Sequence, residues 1–207
     1  AVCRRKGAGL LVQRVLRLWT GQLLNRGGAA AVRAAVRAGS RDALATLLGL
    51  GGVAIAQAAV GDVVAVGGAA PEAPCALRLC VEREDQELLH LLLDHLRGGG
   101  EGTLASVRKA YSFAIHCGKK PVAASLASYL VVELSLLGNV QYRSACFKDA
   151  IACYSEAITV CLEGLDRDHV SLATGNGETF RARENLVRLR YNLARAWHRT
   201  DEWTKAR

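Results

Sequence analysis

The sequence predicts an all-α protein, a solenoid of helical hairpins, and three observations carry that prediction. Apolar residues recur at steps of three and four over long stretches, the spacing that places them on one face of a helix. Only 3 prolines stand in 207 residues, so long helices meet few breakers. Turn signals also return at a repeating interval. Glu84 and Gly118 are 34 residues apart, and Gly39 and Glu84 are 45 apart, one such period plus an insertion of about a dozen. A helix pair of that length cannot bury its apolar face alone, so copies must stack. With 51% apolar and 5% aromatic residues, the shared core is built mainly from Leu, Ala and Val.

Residues 1–28 form a basic N-terminal segment. Leu10, Leu11, Val15, Leu16, Leu18 and Trp19 fit one helix, with Arg14 and Arg17 on its flank. Residues 1–41 hold nine basic side chains and no acid, within a net charge of +8. Such a start resembles a mitochondrial targeting segment. The preferred reading is the tail of an earlier helical repeat, because residue 1 is Ala and the chain contains no Met, as in a piece of a longer protein.

Residues 29–130 read as helical repeats. The first has a short Ala/Val helix, a turn at Gly39 and Ser40, and a second helix through Leu44, Leu47 and Leu48. The next has Leu77, Leu79, Cys80 and Val81, a charged turn at Arg83, Glu84 and Asp85, then Leu88, Leu89, Leu91, Leu92 and Leu93. A third turns at Gly118, with Pro121 in the opening turn of its outer helix, where proline is tolerated. Between the first two lies a Gly/Ala/Val-rich run, residues 51–74, expected as an extended loop with a short strand at residues 63–66. A membrane span there is disfavoured by Gln57, Asp62 and the glycines. The period and layout resemble ankyrin repeats. Ala76, Leu77, Arg78 and Leu79 stand where that family has Thr-Pro-Leu-His, and Leu91, Leu92 and Leu93 stand at its leucine run. The Thr-Pro-Leu-His sequence itself is absent, and Glu84 replaces the usual turn glycine.

Residues 131–207 hold a different pair of helices. Leu134, Leu137 and Val140 mark the first. Phe147, Ala150, Ile151, Tyr154, Ala157, Ile158 and Cys161 mark the second, with Gly138, Ala150 and Ala157 small enough for close approach. This run resembles a tetratricopeptide repeat, in which Leu137, Gly138, Tyr142, Phe147, Ala150, Ile151, Tyr154, Ala157 and Ile158 keep the order of the pattern, while Leu162 stands in place of the closing proline. A second, incomplete copy starts 56 residues later near Val187, with Tyr191, Leu193, Ala194, Trp197, Trp203 and Ala206 in the corresponding places. A turn signal at Gly175, Asn176 and Gly177 separates the two, and Phe180 leads into the last helix without an obvious stop.

No catalytic constellation, phosphate loop, cofactor motif or metal-ligand set is expected. His90 and Asp94 share a helix face but read as a solvated charged surface, and His116 beside Cys117 reads as surface next to core. The 7 cysteines make no CxxC pair, which points to a reducing compartment and buried thiols, with Cys146, Cys153 and Cys161 in a core seam. Nucleic acid is not an expected partner, because no nucleic-acid motif accompanies the basic charge.

The tetratricopeptide resemblance implies a groove lined by the first helix of each pair. On this sequence the groove receives Val132, Ser135, Asn139 and Tyr142, then Arg188, Tyr191, Asn192, Arg195, His198 and Arg199. Asn139, Tyr142, Arg188, Asn192, Arg195 and Arg199 are the residues expected to touch a peptide. Residues 181–207 carry eight Lys/Arg against three acids, so the expected ligand is an acidic peptide or C-terminal carboxylate. A narrower resemblance, to domains that clamp the acidic tail of heat-shock chaperones, rests on Asn139 and Asn192, while Ser135 stands where those domains have a lysine. The resemblance implies a non-catalytic, cytoplasmic adaptor or scaffold. Two alternatives stay open: the non-catalytic repeat region of a larger enzyme, and a mitochondrial or membrane-associated assembly protein.

Overall fold

The computed structural model describes residues 27–61, 74–168 and 178–200. Among the described residues there are eight helices and no strand: α1 (Ala29–Ala38), α2 (Arg41–Val60), α3 (Ala76–Arg83), α4 (Gln86–Leu96), α5 (Gly100–His116), α6 (Lys120–Arg143), α7 (Phe147–Asp168) and α8 (Glu178–Arg199). The all-α class is therefore as expected. The helix expected at residues 10–19, the strand at 63–66, the turn at 175–177, and Trp203 and Ala206 lie outside the described residues. The chain divides into two compact units, Ala1–Val122 and Ala123–Arg207.

In the first unit the hairpin turns fall where the sequence places them. Gly39, Glu84 and Gly118 each adopt positive φ, at 72°, 57° and 69°. Each donates its N–H three residues back, to Val36, Val81 and Ile115, while the next residue donates to Ala35, Cys80 and Ala114. This is the hydrogen-bonding of a Schellman C-cap, which satisfies the last carbonyls of the preceding helix. The following helix then starts on a side-chain cap: Ser40 Oγ accepts from the Ala43 N–H at 3.4 Å, and Asp85 Oδ1 from the Leu88 N–H at 3.1 Å. Within this unit α1 packs on α2 and α3, α3 on α5, and α2 on α4. First helices thus lie beside first helices, and second beside second.

Burial holds these hairpins together. Leu88, Leu89, Leu92, Leu93 and Leu96 recur at three and four residues and are buried along α4, and Leu44, Leu48, Leu77 and Val81 are buried on its neighbours. Each fully buried leucine contributes roughly 1.5–3 kcal/mol. Polar ties also run from hairpin to hairpin. Arg41 pairs with Glu87 at 2.9 Å, Arg83 donates to the Arg37 carbonyl at 2.9 Å, and Lys119 pairs with Glu84. These groups are largely exposed, and such pairs contribute about 0–1 kcal/mol each, so they tune the stack and do not hold it.

The expected loop over residues 51–74 is corrected in its first part. Helix α2 continues to Val60, bending at Gly52, whose φ of 57° and ψ of −150° are open to glycine alone. Ile55, Ala56, Ala59 and Val60 are buried, so this apolar run satisfies its backbone as helix while covering its side chains. Gln57 Nε2 donates to the Gly99 carbonyl at 3.1 Å and ties the end of α2 to the link before α5. By length and composition α2 and α6 are also long and apolar enough to cross a membrane, a test that core helices meet too.

In the second unit, the division expected between residues 130 and 131 falls inside α6, which runs unbroken from Lys120 to Arg143. Leu126, Leu130 and Leu134 are buried at steps of four and carry one apolar line straight across that point. No turn residue interrupts it. Helix α6 ends in the same cap as the earlier hairpins, with Ala145 at φ 60°, its N–H donated to Tyr142 and that of Cys146 to Gln141. Cys146 is exposed, Cys153 half-buried and Cys161 buried, so the three make no continuous core seam: Cys146 belongs to the turn, outside the helical spacing. Cys117 is likewise exposed, and burial pushes the Cys80 thiol up to about 12.

Ala145 offers a direct stability test. An L-residue in the left-handed region costs about 1 kcal/mol relative to glycine, and the alanine is exposed. Ala145→Gly is expected to stabilise the chain by about 0.5–1 kcal/mol in denaturant unfolding. A loss of stability would mean that the turn is not left-handed.

Candidate functional site

Three helices of the second unit meet at one amide. Gly138 has no side chain, and a Cβ built there would stand 2.6 Å from the Tyr154 ring, so glycine lets α7 approach α6 closely. Tyr154 is 1% exposed, and its hydroxyl donates to Asn139 Oδ1 at 2.8 Å. Asn192 Nδ2 of α8 donates to the same oxygen at 3.4 Å. Burial raises the Tyr154 pKa, which keeps the hydroxyl protonated as that donor. With Oδ1 accepting twice, the Asn139 NH2 group and the Asn192 carbonyl oxygen have no partner among the described residues, and both side chains are half-buried. Together they offer a donor and an acceptor to a peptide backbone or carboxylate.

One turn along, an aromatic and basic cluster adjoins these amides. The Tyr142 and Phe147 rings meet edge to face at 5.4 Å across the Ala145 turn. Arg195 Cζ lies 5.1 Å from the centre of the Tyr142 ring and 5.7 Å from that of Tyr191. The nearby Arg199, and with it Arg195, holds the Tyr142 phenol below its ordinary pKa, together outweighing the opposing effect of burial. Asn192, Arg195 and Arg199 follow one another at three and four residues, so α8 presents them as one row. On α6, Val132, Leu136 and Val140 are exposed near Asn139 and form an apolar strip.

Five of the six expected peptide-contacting residues, Asn139, Tyr142, Asn192, Arg195 and Arg199, are thus linked in one cluster. Arg188 is not joined to it: its guanidinium stands 3.7 Å from Glu184 of its own helix, an exposed pair that contributes little. One participant escaped the sequence-based site. Tyr154 read as core by spacing, and nothing local signals that its hydroxyl meets an amide 15 residues earlier. Tyr191, expected along the groove but not among the six contacting residues, is 63% exposed and stands four residues before Arg195.

His95 Nδ1 lies 2.9 Å from the Leu91 carbonyl, to which it donates as an N–H, and Asp94 pairs with Arg97 at 3.1 Å. Among the described residues no three His, Cys, Asp or Glu side chains are grouped to hold a metal ion. No family model, curated protein or solved structure matches the chain.

Proposed function

We propose that this chain is a helical-repeat scaffold, ankyrin-like in its first hairpins and tetratricopeptide-like from α6 onward, whose groove on α6 and α8 binds the acidic end of a peptide or protein partner. The single observation that carries the reading is the junction of Asn139 and Asn192 beside Arg195 and Arg199. The amides provide neutral hydrogen bonds and the guanidinium groups charge-assisted ones, the combination that holds a carboxylate in place. The stacking of first helices on first helices and second on second in the first unit supports the solenoid reading. The apolar strip of Val132, Leu136 and Val140 favours a peptide with an aliphatic residue near its acidic end. The tail of a heat-shock chaperone has this chemistry.

The test is fluorescence anisotropy with a labelled peptide ending in Glu-Glu-Val-Asp. Binding with Kd on the order of 10 μM is expected, about −7 kcal/mol. Asn192→Ala and Arg195→Glu are each expected to weaken it at least tenfold, since a hydrogen bond to a charged group contributes about 1.5–3 kcal/mol. Amidating the peptide C-terminus removes one carboxylate and should weaken binding as well. A folded, helical sample with no affinity at millimolar peptide would sink the reading.

A further inference from the structure

The contacts of Arg195 carry a finer inference, which rests on the peptide-groove reading. We infer that Tyr142 and Tyr191 hold the Arg195 guanidinium in place, so that the groove reads a ligand carboxylate by the shape of a two-pronged donor and not by positive charge alone.

The residues come from two directions. Tyr142 is fixed at the end of α6, where Phe147 supports its ring from beyond the turn. Tyr191 lies one helical turn before Arg195 on α8, and is 63% exposed, so it is not there to fill a core. Both ring centres lie within 6 Å of Arg195 Cζ, at 5.1 and 5.7 Å, the range of a cation–π contact. A free arginine side chain on a helix surface samples many rotamers and loses them on binding. Two rings remove much of that freedom beforehand. A guanidinium resting on aromatic rings also keeps its in-plane N–H fork for a carboxylate, which accepts it through two parallel hydrogen bonds. An ammonium at the same place keeps the charge and loses the fork. Arg199, whose approach lowers the pKa of the Tyr142 phenol, adds a second positive group from the next turn. Tyr191 is therefore a positioning residue, and its ring, not its hydroxyl, does the positioning.

The whole 207-residue chain is titrated with the labelled Glu-Glu-Val-Asp peptide as wild type and as Tyr191→Phe, Tyr191→Ala and Arg195→Lys. The Arg195 side-chain Nε–H signal is followed by NMR without peptide. The expected result is wild-type affinity for Tyr191→Phe and about five- to tenfold weaker binding for Tyr191→Ala and Arg195→Lys. The resolved Nε–H signal should survive in Tyr191→Phe and broaden or vanish in Tyr191→Ala, with helicity unchanged. Binding within twofold of wild type in both Tyr191→Ala and Arg195→Lys overturns the inference and leaves the peptide groove standing. A wild-type chain that does not bind the peptide removes the groove reading, and this inference with it. Repeating the series with the amidated peptide assigns the fork: a Tyr191→Ala loss seen only with the free C-terminus places it on the main-chain carboxylate, and a loss seen with both peptides places it on an acidic side chain.

Discussion

Tyr154→Ala is expected to destabilise the second unit by about 3–5 kcal/mol, the range for deleting a large aromatic from a core. The residue is 1% exposed and is the one aromatic among the largest fully buried side chains of the described residues. Its ring fills the space that Gly138 leaves against α6. Truncation opens a void between two helices whose backbones cannot collapse onto it without moving the Ala145 turn. It also removes the hydroxyl that donates to Asn139. Tyr154→Phe separates the two effects. The ring stays and only the hydrogen bond goes, at about 1 kcal/mol, because Asn139 Oδ1 still accepts from Asn192. Guanidinium unfolding followed by circular dichroism measures both. A Tyr154→Ala cost below about 1 kcal/mol would show that this ring is not packed as described.

Gly138→Val approaches the same contact from the other side. The new Cβ would stand 2.6, 2.9 and 3.0 Å from three Tyr154 ring atoms, closer than side chains tolerate. Overpacking of this kind costs about 1–3 kcal/mol. Replacing glycine inside a helix returns some of that, up to about 1 kcal/mol for alanine and less for a β-branched side chain. Valine adds two methyl groups to the same gap, so the clash wins, with a net loss of about 2 kcal/mol. In a unit of this size that lowers Tm by roughly 10 °C. Peptide affinity should fall with it, because the Tyr154 ring cannot shift without moving its hydroxyl from Asn139. A Tm unchanged within about 2 °C would contradict the close approach of α6 and α7.

The turns were the most legible part of the fold. Gly39 and Gly118 announce a left-handed residue by composition, and Glu84 was found because a charged break fell at the same interval. The continuity of α6 was not legible. Two hairpin patterns overlap on it, each implies a helix of its own, and nothing between Leu126 and Leu134 says whether one helix or two will form. The bend at Gly52 was hidden for a related reason: in a run of Gly, Ala and Val, helix and loop compositions look alike. Within the site, Asn192, Arg195 and Arg199 were legible from their spacing on one helix. Their junction with Asn139 and Tyr142 depended on aligning two segments more than 50 residues apart, which the repeat resemblance provided. The same alignment included Arg188, whose carboxylate partner lies one turn back on α8.

The unbroken run of α6 sets where the polypeptide can be cut for separate expression. A fragment beginning at residue 131 would start midway through a helix, sever about four of its backbone hydrogen bonds, and leave Leu134 without Leu130 beside it on the buried line. Its new end would fray toward Asn139 and Tyr142, less than four turns away. Loss of peptide binding by such a fragment would then report a damaged helix end, not the removal of a partner-binding hairpin. A cut at Gly98 and Gly99, between α4 and α5, keeps α6 at its full 24 residues, at the cost of parting α5 from α3.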